Sequence, residues 1–224
     1  MINICIGGSK GKMGSRIIEL AKEDAGFQLS GQFDAGDEAQ PVIAASDCLI
    51  EFTTPEATME HLSLCEGYKK AIVIGTTGLS QDQCKAIEAA SKKIPVVFSP
   101  NMSIGVNLLF KMIADAVKAL GPEYAIDIVE AHHVEKKDAP SGTAKEMARI
   151  VREARGNIAV PIASVREGEI VGEHTIKLES SLDVIELTHS AKTRDIFAKG
   201  ALAAAKFAVT RPHGLFTMKD VLGL

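Results

Sequence analysis

The chain has 224 residues, 46% of them hydrophobic and 24% charged, which suffices for two modest domains with buried cores. A net charge of −4 gives no basic surplus for nucleic acid. No apolar run is long enough to cross a bilayer, and the four cysteines include no C-x-x-C pair, which argues against a metal or redox motif.

Met1 leads directly into Ile2-Asn3-Ile4-Cys5-Ile6 with no basic region, apolar core or cleavage site of a signal peptide, so a cytoplasmic protein is expected. Residues 2–6 predict a strand ending in glycine. Met13, Ile17, Leu20 and Ala21 recur at helical spacing behind it. Residues 29–33, 48–53, 71–75 and 95–98 read as further strands. Pro55 suits the first turn of a helix, and Ser80-Gln81-Asp82-Gln83 has the form of a capping box. Alternating strands and helices predict an α/β unit with a parallel sheet covered on both faces.

The rhythm changes after residue 102. Residues 104–120 predict a long helix with Leu108, Met112, Ala116 and Leu120 on one face. A strand over 124–131, a Lys-rich loop and a helix from about Gly142 follow. Residues 162–190 alternate as β structure, as in Val184-Ile185-Glu186-Leu187-Thr188, which predicts an open mixed or antiparallel sheet. The Ala-rich stretch 198–209 predicts a last helix.

Gly8-Ser9-Lys10-Gly11-Lys12-Met13-Gly14 lies between the first strand and the first helix. Glycines there permit a tight turn, close approach of a pyrophosphate and close helix packing, while the helix N-terminus offers N–H groups to phosphates. The spacing is G-x-x-G-x-x-G rather than G-x-G-x-x-G, and its position after an N-terminal strand is what gives it weight. Asp34, about 20 residues on at the end of the second strand, suits the ribose-binding acid of a dinucleotide fold; a plain turn residue is the alternative.

Glu130-Ala131-His132-His133-Val134-Glu135-Lys136-Lys137-Asp138-Ala139-Pro140-Ser141-Gly142-Thr143-Ala144 combines an acid–base group with an anion site. N–H groups at Gly142 and Thr143 can hold a carboxylate, Lys136 adds a point charge, and a histidine exchanges protons near neutral pH. Adjacent histidines on a strand point to opposite faces, so no metal is expected. Lys137 reads as a solvated loop residue. Ser141 can be an N-cap as well as a ligand contact.

This stretch resembles the signature of the 4-hydroxy-tetrahydrodipicolinate (dihydrodipicolinate) reductase family, E-[AL]-H-H-x-x-K-x-D-A-P-S-G-T-A. Similar segments run the length of the chain: Gly8 to Gly14, Glu51-Phe52-Thr53-Thr54-Pro55, Gly75-Thr76-Thr77-Gly78, residues 99–107 and residues 214–222. The resemblance implies a Rossmann-like cofactor domain, residues 1–102 with 194–224, and an α+β substrate and tetramerisation domain with an open mixed sheet, residues 103–193. It implies reduction of a cyclic dicarboxylate by NADH or NADPH with loss of water. His132 would be the acid–base residue and Lys136 the catalytic lysine. His133, Ser141, Gly142 and Thr143 would contact substrate, and Arg194 is added as an anion contact. Gly8, Ser9, Lys10, Gly11, Lys12, Met13 and Asp34 would hold the cofactor, with Gly75, Thr76 and Thr77 as a further loop and Ser99, Pro100, Asn101 and Met102 lining the nicotinamide pocket.

The chain departs from that family in two places. It is short between Gly36 and Ser46, where a missing helix would trim the cofactor domain. Asp34 is followed by Ala35 and Gly36 rather than by an arginine for a 2′-phosphate, so NADH should serve at least as well as NADPH. Two other readings compete. Another Rossmann-fold amino-diacid dehydrogenase explains the glycine loop but not His-His-x-x-Lys before Ser-Gly-Thr, and a non-catalytic nucleotide sensor has no use for His132 and Lys136.

Overall fold

A computed structural model describes residues 1–156 and 158–224. The chain forms two compact units, residues 1–104 with 195–224, and residues 105–194. In the first unit six strands form one parallel sheet: β1 (Ile2–Gly7), β2 (Phe27–Phe33), β3 (Cys48–Glu51), β4 (Ala71–Ile74), β5 (Pro95–Phe98) and β10 (Gly214–Phe216). Their order is β10-β5-β4-β3-β1-β2. The chain runs outward from β1 to β2 and then returns to the other side of β1. That reversal opens a crevice at the carboxyl ends of β1 and β3, the usual ligand position in such sheets. β3 and β4 are buried along their whole length, as both-face coverage requires.

The helices of this unit are α1 (Lys12–Glu23), α2 (Ala39–Ala44), α3 (Pro55–Tyr68), α4 (Gln81–Ser91), α7 (Asp195–Ala208) and α8 (Met218–Leu222). Pro55 starts α3 behind a Thr54 N-cap, and Ser80 and Gln83 form the capping box at α4. The Ala-rich α7 puts Ala198, Ala201, Ala204, Ala205 and Ala208 into the core formed with β1, β3 and α1. Arg16 on α1 grips Asp195 at the start of α7 with two bonds, 2.6 and 2.7 Å. Between Gly36 and Ser46 the short segment forms the six-residue α2, seated by Ile43.

The second unit has α5 (Ile104–Ala119) and α6 (Gly142–Arg155) and four strands, β6 (Ala125–His132), β7 (Ile162–Arg166), β8 (Gly172–Glu179) and β9 (Val184–Ala191). The sheet order is β7-β6-β8-β9; β6 and β7 are parallel and the other pairs antiparallel, so the sheet is mixed. The face of α5 is not the one expected. Val106, Leu109, Phe110, Ile113 and Val117 are buried, whereas Leu108 and Met112 are 46% and 43% exposed. A strict four-residue step drifts about 40° around a helix at each repeat, so the predicted stripe leaves the face that the mixed three- and four-residue spacing keeps.

Candidate functional site

In the first unit the glycine loop divides its labour. Gly8 has φ +76°, a left-handed turn that a side chain would strain. A Cβ on Gly14 would overlap the Gly8 carbonyl, so α1 can seat this close to β1 only with glycine there. Gly11 is the N-cap of α1, and a Cβ there would meet only the Gly8 oxygen, at 3.1 Å. The cap therefore faces open space beside the first turn, at Lys12 and Met13, where an α-helix leaves its N–H groups without intrahelical partners. This backbone fits a pyrophosphate.

Asp34 ends up where the loop can use it. Its Oδ2 accepts the Lys10 N–H at 2.7 Å and its Oδ1 the Ala35 N–H at 2.8 Å. Those bonds, Lys10 first, hold its carboxyl below the ordinary range. A carboxylate has about four acceptor positions, so two backbone bonds leave room for ribose hydroxyls. The same segment is a turn, with the Asp37 side chain accepting the Asp34 N–H at 2.8 Å.

The second loop is more buried than a ligand loop needs. The Thr76 hydroxyl accepts the Thr53 N–H at 3.2 Å and bonds Thr58 at 2.9 Å, which ties Gly75–Thr76 to the end of β3 and leaves Thr77 exposed. Ser99 donates to the Asn101 carbonyl at 3.1 Å, and the Asn101 side chain accepts the Ser103 N–H at 2.8 Å. The Met102 side chain is core, and its carbonyl lies against Gly200 on α7, where a Cβ would overlap it. Met102 can therefore offer a ligand little beyond its backbone.

In the second unit β6 carries Glu130 and His132 two residues apart, hence on one face. Both are buried. His132 Nδ1 bonds Glu130 Oε2, which leaves Nε2 as the nitrogen able to exchange a proton. Arg166, the β7 partner of His132 in register, meets the two Glu130 oxygens at 3.0 and 2.9 Å. Its remaining N–H groups bond the carbonyls of Lys136, Asp138 and Val165. All five guanidinium donors are used, and two of them tie the loop carrying Lys136 to β7, alongside backbone bonds from His133 and Val134 to Ile170 and Gly168. Burial alone would raise the Glu130 carboxyl, but bonds from Arg166, Ser164 and His132 outweigh it and hold it at about 2. Burial lowers His132 below the ordinary imidazole value despite Glu130, so at neutral pH its ring is neutral with Nδ1–H on the carboxylate.

Ser141 caps α6, its Oγ accepting the Ala144 N–H at 3.2 Å, and its own N–H reaches Glu130 Oε1 at 3.2 Å. The helix start that carries Gly142 and Thr143 is thus tied to the carboxylate that holds His132. Lys136 pairs with Asp138 at 2.8 Å, Lys137 is exposed, and His133 is half-buried just past the end of β6. Arg194 is exposed at the last position of this unit. The sequence reading missed four contributors. Glu130 was quoted in the motif and its two-residue spacing from His132 was the available signal. Arg166 and His174 arrive only through strand register, opposite His132 and Glu130 respectively. Gly172 was also missed; a Cβ there would stand 3.1 Å from His132 Nε2 and crowd it.

A parallel doubly wound sheet with a glycine loop at its reversal point, in a chain whose other unit holds a histidine in a buried charge network, defines a pyridine-nucleotide-dependent oxidoreductase. The family description "Dihydrodipicolinate reductase, N-terminus" matches residues 2–102, and "Dihydrodipicolinate reductase, C-terminus" matches residues 105–222. The 4-hydroxy-tetrahydrodipicolinate reductases of Geotalea uraniireducens and Geobacter metallireducens are 39% and 40% identical over 266 aligned positions, covering all of this chain and all of each relative. The dipicolinate-bound dihydrodipicolinate reductase from Paenisporosarcina sp. TG-14 has the same fold, with a TM-score of 0.83 at 24% identity and 98% of both chains covered. The chain belongs to the dihydrodipicolinate reductase family.

Proposed function

We propose that the protein reduces 4-hydroxy-tetrahydrodipicolinate to tetrahydrodipicolinate with loss of water, in the diaminopimelate route to lysine. The observation that carries this reading is the join of His132, through Glu130, to the helix start at Ser141. One buried carboxylate sets both the proton-handling ring and a cationic helix end suited to a carboxylate of the substrate.

In this reading the glycine loop from Gly8 to Met13, with Asp34, binds the nucleotide, and the segments Gly75–Thr77 and Ser99–Met102 support its nicotinamide end. The bound nucleotide supplies a hydride. One hydride and one proton enter the substrate and one water leaves, so the protein must manage a proton and two carboxylates. His132, neutral at rest, takes up a proton from solvent at Nε2 and gives it to the substrate, while Glu130 fixes the ring tautomer and stabilises the imidazolium formed in between. Lys136 exchanges Asp138 for a substrate carboxylate. His133, Gly142, Thr143 and Arg194 complete the anion contacts. Asp34 repels a 2′-phosphate and Ala35 supplies no countercharge, so NADH is used at least as well as NADPH. The open face of the β7-β6-β8-β9 sheet, where Val129 and Val165 are exposed, supports assembly into a homotetramer. The enzyme is placed in the cytoplasm.

The test is oxidation of NADH and of NADPH by the purified full chain, supplied with the freshly made product of dihydrodipicolinate synthase. One nucleotide should be consumed per substrate, with kcat/KM for NADH equal to or above that for NADPH. No oxidation above the substrate-free rate would refute the reading.

A further inference from the structure

Among the described residues two buried ring nitrogens have no hydrogen-bond partner, Nδ1 of His174 and Nδ1 of His189, which are paired across β8 and β9. His174 has a further set of contacts. It is 4% exposed, sits opposite Glu130 in register, and packs edge-on against His132 with ring centroids 5.0 Å apart. Its Nε2 lies 3.0 Å from Ser141 Oγ, which already accepts the Ala144 N–H. Burial, then the neighbouring His132, pushes His174 down to about 4, so it is neutral at physiological pH.

A neutral imidazole carries one N–H. If that hydrogen is on Nδ1, the serine donates to Nε2 and a buried N–H is stranded. If it is on Nε2, it donates to Ser141 Oγ, which then accepts twice. The stranded group is then only a lone pair on Nδ1, the lesser omission, since orphaned buried N–H groups are rarer than under-used acceptors. In that second arrangement the serine hydrogen must find an acceptor elsewhere. Ser141 is 2% exposed, so bulk water is a poor source. A ligand oxygen at the start of α6 would meet that need.

We propose that His174 is a positioning residue: by donating from Nε2 to Ser141 Oγ it turns the serine hydroxyl hydrogen toward a carboxylate of the substrate bound at the start of α6. This rests on the reading of that helix start as a carboxylate site. His174 is a binding determinant in consequence, and it acts through Ser141 rather than on the reacting atoms.

The test is calorimetric binding of dipicolinate to the full chain, with steady-state KM and kcat alongside. His174→Leu removes the donor and should weaken dipicolinate and raise KM about 10- to 150-fold, the scale of one hydrogen bond to a charged group, with kcat within about threefold. His174→Gln, whose longer amide can donate from a place near Nε2, should recover most of the loss; His174→Asn, too short to reach Ser141, should not. Ser141→Gly, which costs the cap only a few tenths of a kcal/mol, should weaken binding similarly, and the His174→Leu/Ser141→Gly pair should be no weaker than Ser141→Gly alone. Losses that multiply in the pair would overturn the proposal. If the leucine variant does not fold, equal dipicolinate affinity for the Gln and Asn variants would overturn it instead. Wild-type protein that binds no dipicolinate would overturn the carboxylate reading and this proposal together, whereas wild-type binding with multiplying losses would overturn this proposal alone.

Discussion

Under the proposed function, the glycine loop and the His132 cluster would solve the same problem, holding an anion, by opposite means. The loop between β1 and α1 does it with backbone: glycine torsions, a helix N-terminus, and a carboxylate held by two N–H groups. The cluster does it with side chains drawn from β6, β7, β8 and the start of α6, locked around one buried carboxylate. Backbone sites are local in sequence and tolerate side-chain change except at glycine. Side-chain clusters depend on register between distant strands and should fail when any member is lost.

The sharpest break in that comparison is at Glu130. Glu130→Gln keeps the shape but cannot both accept from His132 Nδ1–H and neutralise Arg166. It should lower kcat by about 10²–10⁴-fold, the upper figure being the loss seen when an orienting carboxylate beside a catalytic histidine becomes an amide, while nucleotide affinity stays near wild type. A comparable loss of nucleotide affinity would mean that Glu130 only supports the fold.

A second expectation concerns pH. The His174 pKa falls from 6.5 in the unfolded chain to about 4 in the folded one. Between those values the unfolded state takes up a proton that the folded state refuses, so stability is full above pH 6.5 and is lost as pH falls toward 4. The loss should be on the order of 3 kcal/mol. Urea unfolding across that window checks it: His174→Gln should show a shallower decline, and an unchanged slope would contradict the assignment.

The loop should respond differently. Gly14→Ala puts a methyl against the Gly8 carbonyl, which a backbone atom cannot easily evade. A destabilisation of about 1–3 kcal/mol is expected, with a raised KM for nucleotide and an unchanged affinity for dipicolinate. The smallest effect lies at Ala35. Ala35→Arg should move the NADPH-to-NADH ratio of kcat/KM upward by about tenfold, roughly 1.4 kcal/mol, measured at matched ionic strength because salt screens the lysines of the loop. A wild-type preference for NADPH of about a hundredfold or more would show that Asp34 is not the deciding charge.

What could be read from the sequence follows the same division. The glycine loop, the Ser80 capping box and the Ser141 cap were legible because each is written within a few residues. Glu130 was within reach, since two-residue spacing puts it beside His132. Arg166 and His174 lie 34 and 42 positions after His132, and only the β6–β7 and β6–β8 registers bring them back. The face of α5 misled for a different reason. That helix carries apolar residues on more than one side, so periodicity alone could not say which stripe meets the sheet.

The central claim is that a buried carboxylate holds His132 as the group that moves the proton. The most direct test is steady-state kinetics of His132→Gln in the same assay, with dipicolinate affinity measured alongside. The account predicts a kcat lower by about 10²–10⁴-fold, with KM and dipicolinate affinity within about threefold of wild type. A folded His132→Gln protein that turns over at the wild-type rate would contradict it.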